Sequence, residues 1–192
     1  MTALDLAKQL TARFGDVLSE PTEFRGEITL QLADAERIAE VCEFAKKELD
    51  FNYLVAISSI DHYGEDPRWT VVYHLRGLAH GGELRLKTSV SEEKSELPSV
   101  TTVWRTANWH EREIYDMMGI RFRGHPDLRR ILMWEGYPYF PLRKDFPLAG
   151  KATDVPGVAF TQPAPLEGGP FVTMPGGKDA IEREPHMRNP DN

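Results

Sequence analysis

Residues 69–90 read WTVVYHLRGLAHGGELRLKTSV, and their reading decides the architecture. Trp69 to Leu75 and Glu83 to Val90 are strand-like runs, rich in β-branched and aromatic residues and separated by the glycine-containing loop Arg76 to Gly82, as in an antiparallel meander. Tyr53 to Ile60 supplies a third such run just upstream. Further out, Asp34 to Leu49 places Ile38, Val41, Cys42, Ala45 and Leu49 on one helical face. Asp34 is positioned to cap its start, and Lys46 and Lys47 complement the dipole in its last turn. Glu27 to Leu32 (EITLQL) alternates polar and apolar residues, the period of a half-buried strand. Ala3 to Phe14 carries Leu4, Ala7, Leu10 and Phe14 at helical steps, and Gly15 can stop it. A strand–helix–strand start that runs into antiparallel strands predicts an α+β fold, a mixed sheet with helices packed on one face.

Downstream of the meander, Pro98 and Ser99 open a short irregular or helical segment, and Asn108 to Met118 then reads as a helix. Asn108 is placed to cap it, Glu111 to return the bond as in a capping box, and Gly119 to take the left-handed position after its end. Proline then takes over: 11 of the 14 prolines lie from Pro126 onward, and residues 151–192 hold 7 Pro and 5 Gly. That density sits at the level, about 25–30%, at which a segment does not form its own core. Spaced apolar residues (Val158, Phe160, Phe171, Val172, Met174, Ile181, Met187) suit an extended arm lying along another protein. The expected organisation is an α+β domain over residues 1–120, a docking segment over 121–150 and a Pro/Gly-rich extended C-terminal arm over 151–192.

Composition narrows the function classes. The 192 residues carry 23 basic and 30 acidic side chains, a formal charge of −7, which disfavours a nucleic-acid binder. The excess is local: residues 1–100 hold 11 basic and 18 acidic side chains, residues 101–150 hold 8 and 6, and residues 151–192 hold 4 and 6. A single cysteine, Cys42, permits no intramolecular disulfide, no four-cysteine zinc site and no cysteine-held iron–sulfur cluster within this chain, and its helical position reads as a small core residue. No window approaches the ~20 apolar residues of a membrane span. The first 17 residues carry Asp5 and Asp16 where a signal peptide has a basic end and an apolar run, so the product is expected to stay where it is made. His110, Glu113 and Asp116 stand three apart along one helix face, spacing that suits a metal or an acid–base pair, but a di-iron bundle needs a second Glu-x-x-His motif and the chain has none. An ion-paired helix end accounts for the same residues. No dinucleotide fingerprint, P-loop or nucleophile elbow occurs.

Residues 108–147, NWHEREIYDMMGIRFRGHPDLRRILMWEGYPYFPLRKDFP, have an interface composition. Between 119 and 145, Arg121, Arg123, Arg129, Arg130, Arg143 and Lys144 face only Asp127, Glu135 and Asp145, interleaved with Trp134, Tyr137, Tyr139 and Phe140 on a proline-stiffened backbone. Arginine and aromatics are the residues of binding hot spots.

The string Glu111-Arg112-Glu113, Tyr115-Asp116-Met117, Gly119-Ile120, Gly124-His125-Pro126-Asp127-Leu128-Arg129-Arg130-Ile131-Leu132 and Pro141-Leu142-Arg143-Lys144-Asp145-Phe146-Pro147 closely resembles the signature of the 30 kDa (C) subunit family of proton-pumping NADH:quinone oxidoreductase, respiratory complex I. Weaker likeness reaches back through Arg85-Leu86-Lys87 and Glu48-Leu49-Asp50-Phe51-Asn52, so the resemblance spans about residues 4–148. Met118 stands where the family more often has Phe, and Tyr137-Pro138-Tyr139-Phe140 replaces a more usual Trp-containing, Gly-rich turn. The resemblance implies a hydrophilic, non-catalytic subunit of the peripheral arm. FMN and the iron–sulfur clusters would sit in partner subunits, and this chain would brace the quinone-reducing module against the D (49 kDa), B and I subunits. Membrane association would be indirect, on the cytoplasmic side of the cell inner membrane. It also points to Glu111, Glu113, Asp116, Arg129, Arg130, Arg143 and Lys144 as intersubunit or intrachain ion-pair residues. The alternative within the superfamily is the equivalent subunit of a membrane-bound [NiFe] hydrogenase, a formate hydrogenlyase or a ferredoxin- or F420H₂-linked relative. Outside it stand a metal-dependent hydrolase using His110, Glu113 and Asp116, and a soluble adaptor.

Overall fold

A computed structural model describes residues 2–148 and 151 of the chain. They fall in two units, Met1–Lys144 and Asp145–Asn192. The arm expected over residues 152–192, with its apolar anchors, lies outside the described residues.

The first unit follows the predicted pattern. Helix α1 (Ala3–Phe14) starts from a capping box: the amide of Asp5 donates to the Thr2 hydroxyl at 3.2 Å and the Asp5 carboxylate accepts from the Thr2 amide at 3.0 Å. It buries Leu6, Ala7, Leu10 and Phe14; Leu4, expected on that face, is only partly covered. Asp34 does cap, accepting from the Glu36 amide at 3.0 Å, but the element it opens is a 3₁₀ turn (Ala35–Arg37) that leads into α2 (Ile38–Lys47). All five predicted inward residues, Ile38 to Leu49, are buried.

The strands form one mixed sheet. β1 (Thr22–Phe24) and β2 (Glu27–Leu32) are a hairpin. β3 (Tyr53–Asp61), β4 (Trp69–Arg76) and β5 (Glu83–Val90) form the antiparallel meander, and the five-stranded order is β1-β2-β5-β4-β3. β2 pairs in parallel with β5, from Ile28 opposite Leu84 to Leu32 opposite Thr88. α2 must therefore carry the chain from β2 to the opposite edge of the sheet, which is why a parallel pair joins strands far apart in sequence. Alternation decides the faces: Ile28, Leu30 and Leu32 of β2 and Leu84, Leu86 and Val90 of β5 point into the core beneath the helices. β4 is central and apolar throughout, with Trp69, Val71, Tyr73 and Leu75 fully covered. Each fully buried side chain of this size contributes about 1.5–3 kcal/mol by leaving water.

Three short strands were not legible in the sequence. β1 is three exposed residues joined to β2 through Arg25 (φ 53°) and Gly26 (φ 80°), a turn geometry that fixes a two-residue hairpin. β6 (Glu96–Pro98) pairs in parallel with β7 (Arg121–Arg123) and brackets α3 (Ala107–Met118), which packs against the edge strand β3 and shares the same core through Ala107 and Ile114.

Candidate functional site

Helix α3 buries Glu111, Arg112 and Asp116 along with Ala107, Ile114 and Met117. Three charged residues on the inner face of a twelve-residue helix are costly unless each is compensated, so what each meets organises the surroundings.

Asp116 is fully buried and fully supplied. One oxygen accepts from Arg130 Nη1 at 2.6 Å, and the other accepts the amides of Ile131, Leu132 and Met133 at 3.0, 2.6 and 2.9 Å. Burial works to raise its pKa, but the three amides and the guanidinium outweigh it and hold the carboxyl below its usual range. Arg130 also donates to the Asp116 and Tyr139 carbonyls at 2.9 and 3.0 Å and lies over the rings of Tyr137 and Phe140 at 5.6 and 5.0 Å. Residues 130–140 are thus wound around a single ion pair.

A strap follows. Leu142 N donates to the Met117 carbonyl at 3.1 Å, and Arg143 Nε donates to the Met118 carbonyl at 2.6 Å, a cation on the negative end of α3. The Arg143 guanidinium lies 4.4 Å from the Phe140 ring and 5.2 Å from the Trp69 ring. Gly119 ends the helix at φ 79°, as predicted, and a Cβ there would meet the Phe140 ring at 2.8 Å and crowd the Arg143 guanidinium. At the end of the strap the Lys144 amide donates to Asp61 at 2.8 Å, and Asp61 takes a two-pronged bond from buried Arg68 at 3.0 and 3.1 Å. Burial opposes ionisation of Asp61 too, and the Arg68 and Lys144 bonds overcome it, lowering its pKa. Period-based reading missed Asp61 and Arg68, because the partner of each lies across a turn or far along the chain.

Glu111 corrects one expectation. Helix α3 starts at Thr106, which makes no side-chain cap bond, and Asn108 lies within its first turn. Glu111 does not return to Asn108, because its side chain belongs to the buried face. Its carboxyl instead accepts from the Ser99 hydroxyl at 2.6 Å and the Val100 amide at 2.7 Å. Among the described residues no basic side chain reaches it, and burial pushes its pKa up to about 7 against those two bonds. Cys42 and Tyr73 lie within its electrostatic reach. Burial raises both their pKa values, and the Tyr73 hydroxyl has no hydrogen-bond partner among the described residues.

The remaining predicted residues divide. His125 Nε2 donates to the Asn108 carbonyl at 3.2 Å while Nδ1 accepts from the Asp127 amide at 3.0 Å, which fixes its neutral tautomer and the turn through Pro126. Asp127 and Arg129 pair at the surface at 2.9 Å. Glu113 and the Lys144 side chain are exposed, Tyr115 is half-buried, and Asp145 is exposed in the second unit. The His110, Glu113 and Asp116 spacing does not converge: Asp116 is turned inward to Arg130 while Glu113 faces outward, and the described residues contain no cluster of three ligating side chains.

Arg112 donates through Nε to the Arg129 carbonyl at 3.1 Å and lies over the Trp109 ring at 5.1 Å. It lines a groove of about 720 Å³ between α3 and residues 128–137, with Leu128, Arg129, Ile131 and Tyr137 on the other wall. No helix among the described residues is long and apolar enough to cross a membrane.

Residues 32–152 match the family described as respiratory-chain NADH dehydrogenase, 30 Kd subunit. A C-type NADH-quinone oxidoreductase subunit from Rhizobium etli is 52% identical over 140 residues, covering 72% of this chain and 74% of that protein. Its counterpart from Geotalea uraniireducens is 44% identical over 142 residues, covering 74% and 86%. Among solved structures, a trypsin-resistant fragment of Nqo5 is 33% identical with a TM-score of 0.57, covering 66% of this chain and all of the fragment. A chain of an archaeal membrane-bound sulfane sulfur reductase aligns with a TM-score of 0.64 at 22% identity, covering 75% of this chain and 85% of that one, a likeness of fold alone. The relatives named as NADH-quinone oxidoreductase subunits do not favour the hydrogenase alternative.

Proposed function

Because this chain belongs to the 30 kDa subunit family of respiratory-chain NADH dehydrogenase, we propose that it is a non-catalytic, cofactor-free brace of the peripheral arm of NADH-quinone oxidoreductase. It holds the quinone-reducing module together while electrons pass from NADH to quinone through cofactors in its neighbours. It packs on the D, B and I subunits through residues 121–150 and sits on the cytoplasmic side of the membrane without entering it. The observation that carries this reading is the Asp116–Arg130 centre: four hydrogen bonds to one carboxylate are spent on shaping a surface loop, with no oxygen left for substrate or metal. A loop held that rigidly suits docking, because little side-chain and backbone freedom remains to be lost on binding. The arginines and aromatics at its surface fit the same role.

The test is to tag the chain in its own host, solubilise membranes and analyse the purified assembly by native mass spectrometry. The expected result is co-purification with the other subunits of NADH-quinone oxidoreductase and NADH-driven quinone reduction. Recovery of the chain from the soluble fraction, alone and with turnover of its own, would overturn the proposal.

A further inference from the structure

Resting on the reading of this chain as a docking subunit, we infer that the groove between α3 and residues 128–137 receives an acidic side chain of a neighbouring subunit, an Asp or Glu that pairs with Arg112 and Arg129. Arg112 is only 7% exposed, yet no carboxylate reaches it among the described residues. Its contacts are the Arg129 carbonyl at 3.1 Å, the Arg130 carbonyl at the 3.5 Å limit and the Trp109 ring. A guanidinium has five donors, and a buried one is ordinarily matched by a carboxylate in two-pronged geometry. Other cations of this segment are matched inside the chain: Arg130 by Asp116, and Arg68, beneath the strap, by Asp61. Arg112 has carbonyl dipoles alone and faces the groove.

The lining says what kind of carboxylate fits. Arg129 stands at the rim, its side chain 72% exposed and held only by a surface pair to Asp127, so it can turn toward an incoming acid. Glu135, the groove's own acid, is exposed and makes no ion pair among the described residues. Leu128, Ile131 and Tyr137 give the wall an apolar surface, and Trp109 at the edge is 63% exposed. A free anion would leave that apolar surface wet. An acidic side chain carried on a segment with apolar neighbours covers it and neutralises Arg112 together.

The experiment uses the assembled complex. Trp109→p-benzoylphenylalanine is introduced in the tagged chain, the complex is irradiated, and the linked peptide is sequenced by mass spectrometry. A linked peptide from another subunit with an Asp or Glu beside the attachment point is expected. Links confined to this chain, or to a peptide with no acid nearby, in a complex that still co-purifies, overturn the inference and leave the bracing role standing; a chain that purifies alone overturns both. Leu128→p-benzoylphenylalanine serves if the Trp109 variant does not assemble. A second arm is independent of the probe: Arg129→Glu shifts release of the chain from the complex to lower salt, and changing the identified acid to Lys reverses that shift. Release at the wild-type salt concentration, or no rescue, counts against the pairing.

Discussion

Two carboxylates of α3, Glu111 and Asp116, are both fully buried, and they are in opposite electrical situations. Asp116 has a guanidinium and three amides and stays ionised; Glu111 has one hydroxyl and one amide, no cation, and a pKa of about 7. Burial alone does not set the charge of a residue: the donors delivered to it do. The C-terminal half of α3 is thereby locked to the docking loop by a charge, while the N-terminal half is tied to the turn at Ser99 by a carboxyl near its titration point.

The largest effect should come from removing the well-supplied partner. Asp116→Ala strands Arg130, 14% exposed, and frees three amides, and a loss of about 3–5 kcal/mol is expected in urea unfolding. Trypsin should then cut after Arg129 or Arg130 far faster than in the parent chain; an unchanged midpoint would mean that the loop is held by other contacts. Next comes pH. A carboxyl raised from 4.5 to about 7 keeps its proton in the folded state after the unfolded chain has released it. Its contribution is therefore complete below about pH 4.5 and fades as pH rises to about 7, a change of about 3 kcal/mol in all. Asp116 runs the other way, stabilising above its ordinary pKa of 3.8 and losing that contribution as pH falls. Glu111→Gln should flatten the slope between about pH 4.5 and 7 while leaving the acid limb intact; parallel curves for variant and parent would show Glu111 ionised in the fold.

Gly119→Ala should cost less, about 1–2 kcal/mol for the left-handed backbone, plus displacement of Phe140, readable as a lower Tm. Arg129→Ala is the smallest: its pair with Asp127 is at the surface, and the isolated chain should change by less than about 0.5 kcal/mol. A larger loss in the isolated chain would place Arg129 inside the intrachain network rather than at the groove's rim.

Periodicity made the sheet and its helices readable, because the α2 stripe from Ile38 to Leu49 and the alternation in β2 and β5 are local signals. It could not supply β6 and β7, whose three residues each are held by partners about 25 positions apart. The family signature drew attention to Glu111, Arg112, Asp116 and Arg130 together, and sequence alone could not divide them. Which acid receives a cation depends on a loop that returns 14 residues later, and Glu111 looked like half of a capping box only because its neighbours at Ser99 and Val100 precede the helix. Asp61 gave no sign at all: its last hydrogen bond comes from 83 residues downstream.

That bond from Lys144 to Asp61 also has a meaning in time. Closing a ring of that length is entropically unfavourable until both ends have a fixed place, and Asp61 gains its place only when β3 and β4 have paired and Arg68 has swung beneath. Hydrogen exchange should therefore find the Lys144 amide opening at lower free energy than amides of the sheet. On a ribosome the sheet emerges first and the strap last, so a half-made chain has no finished face to offer, and premature assembly is discouraged by the order in which the chain is spun out.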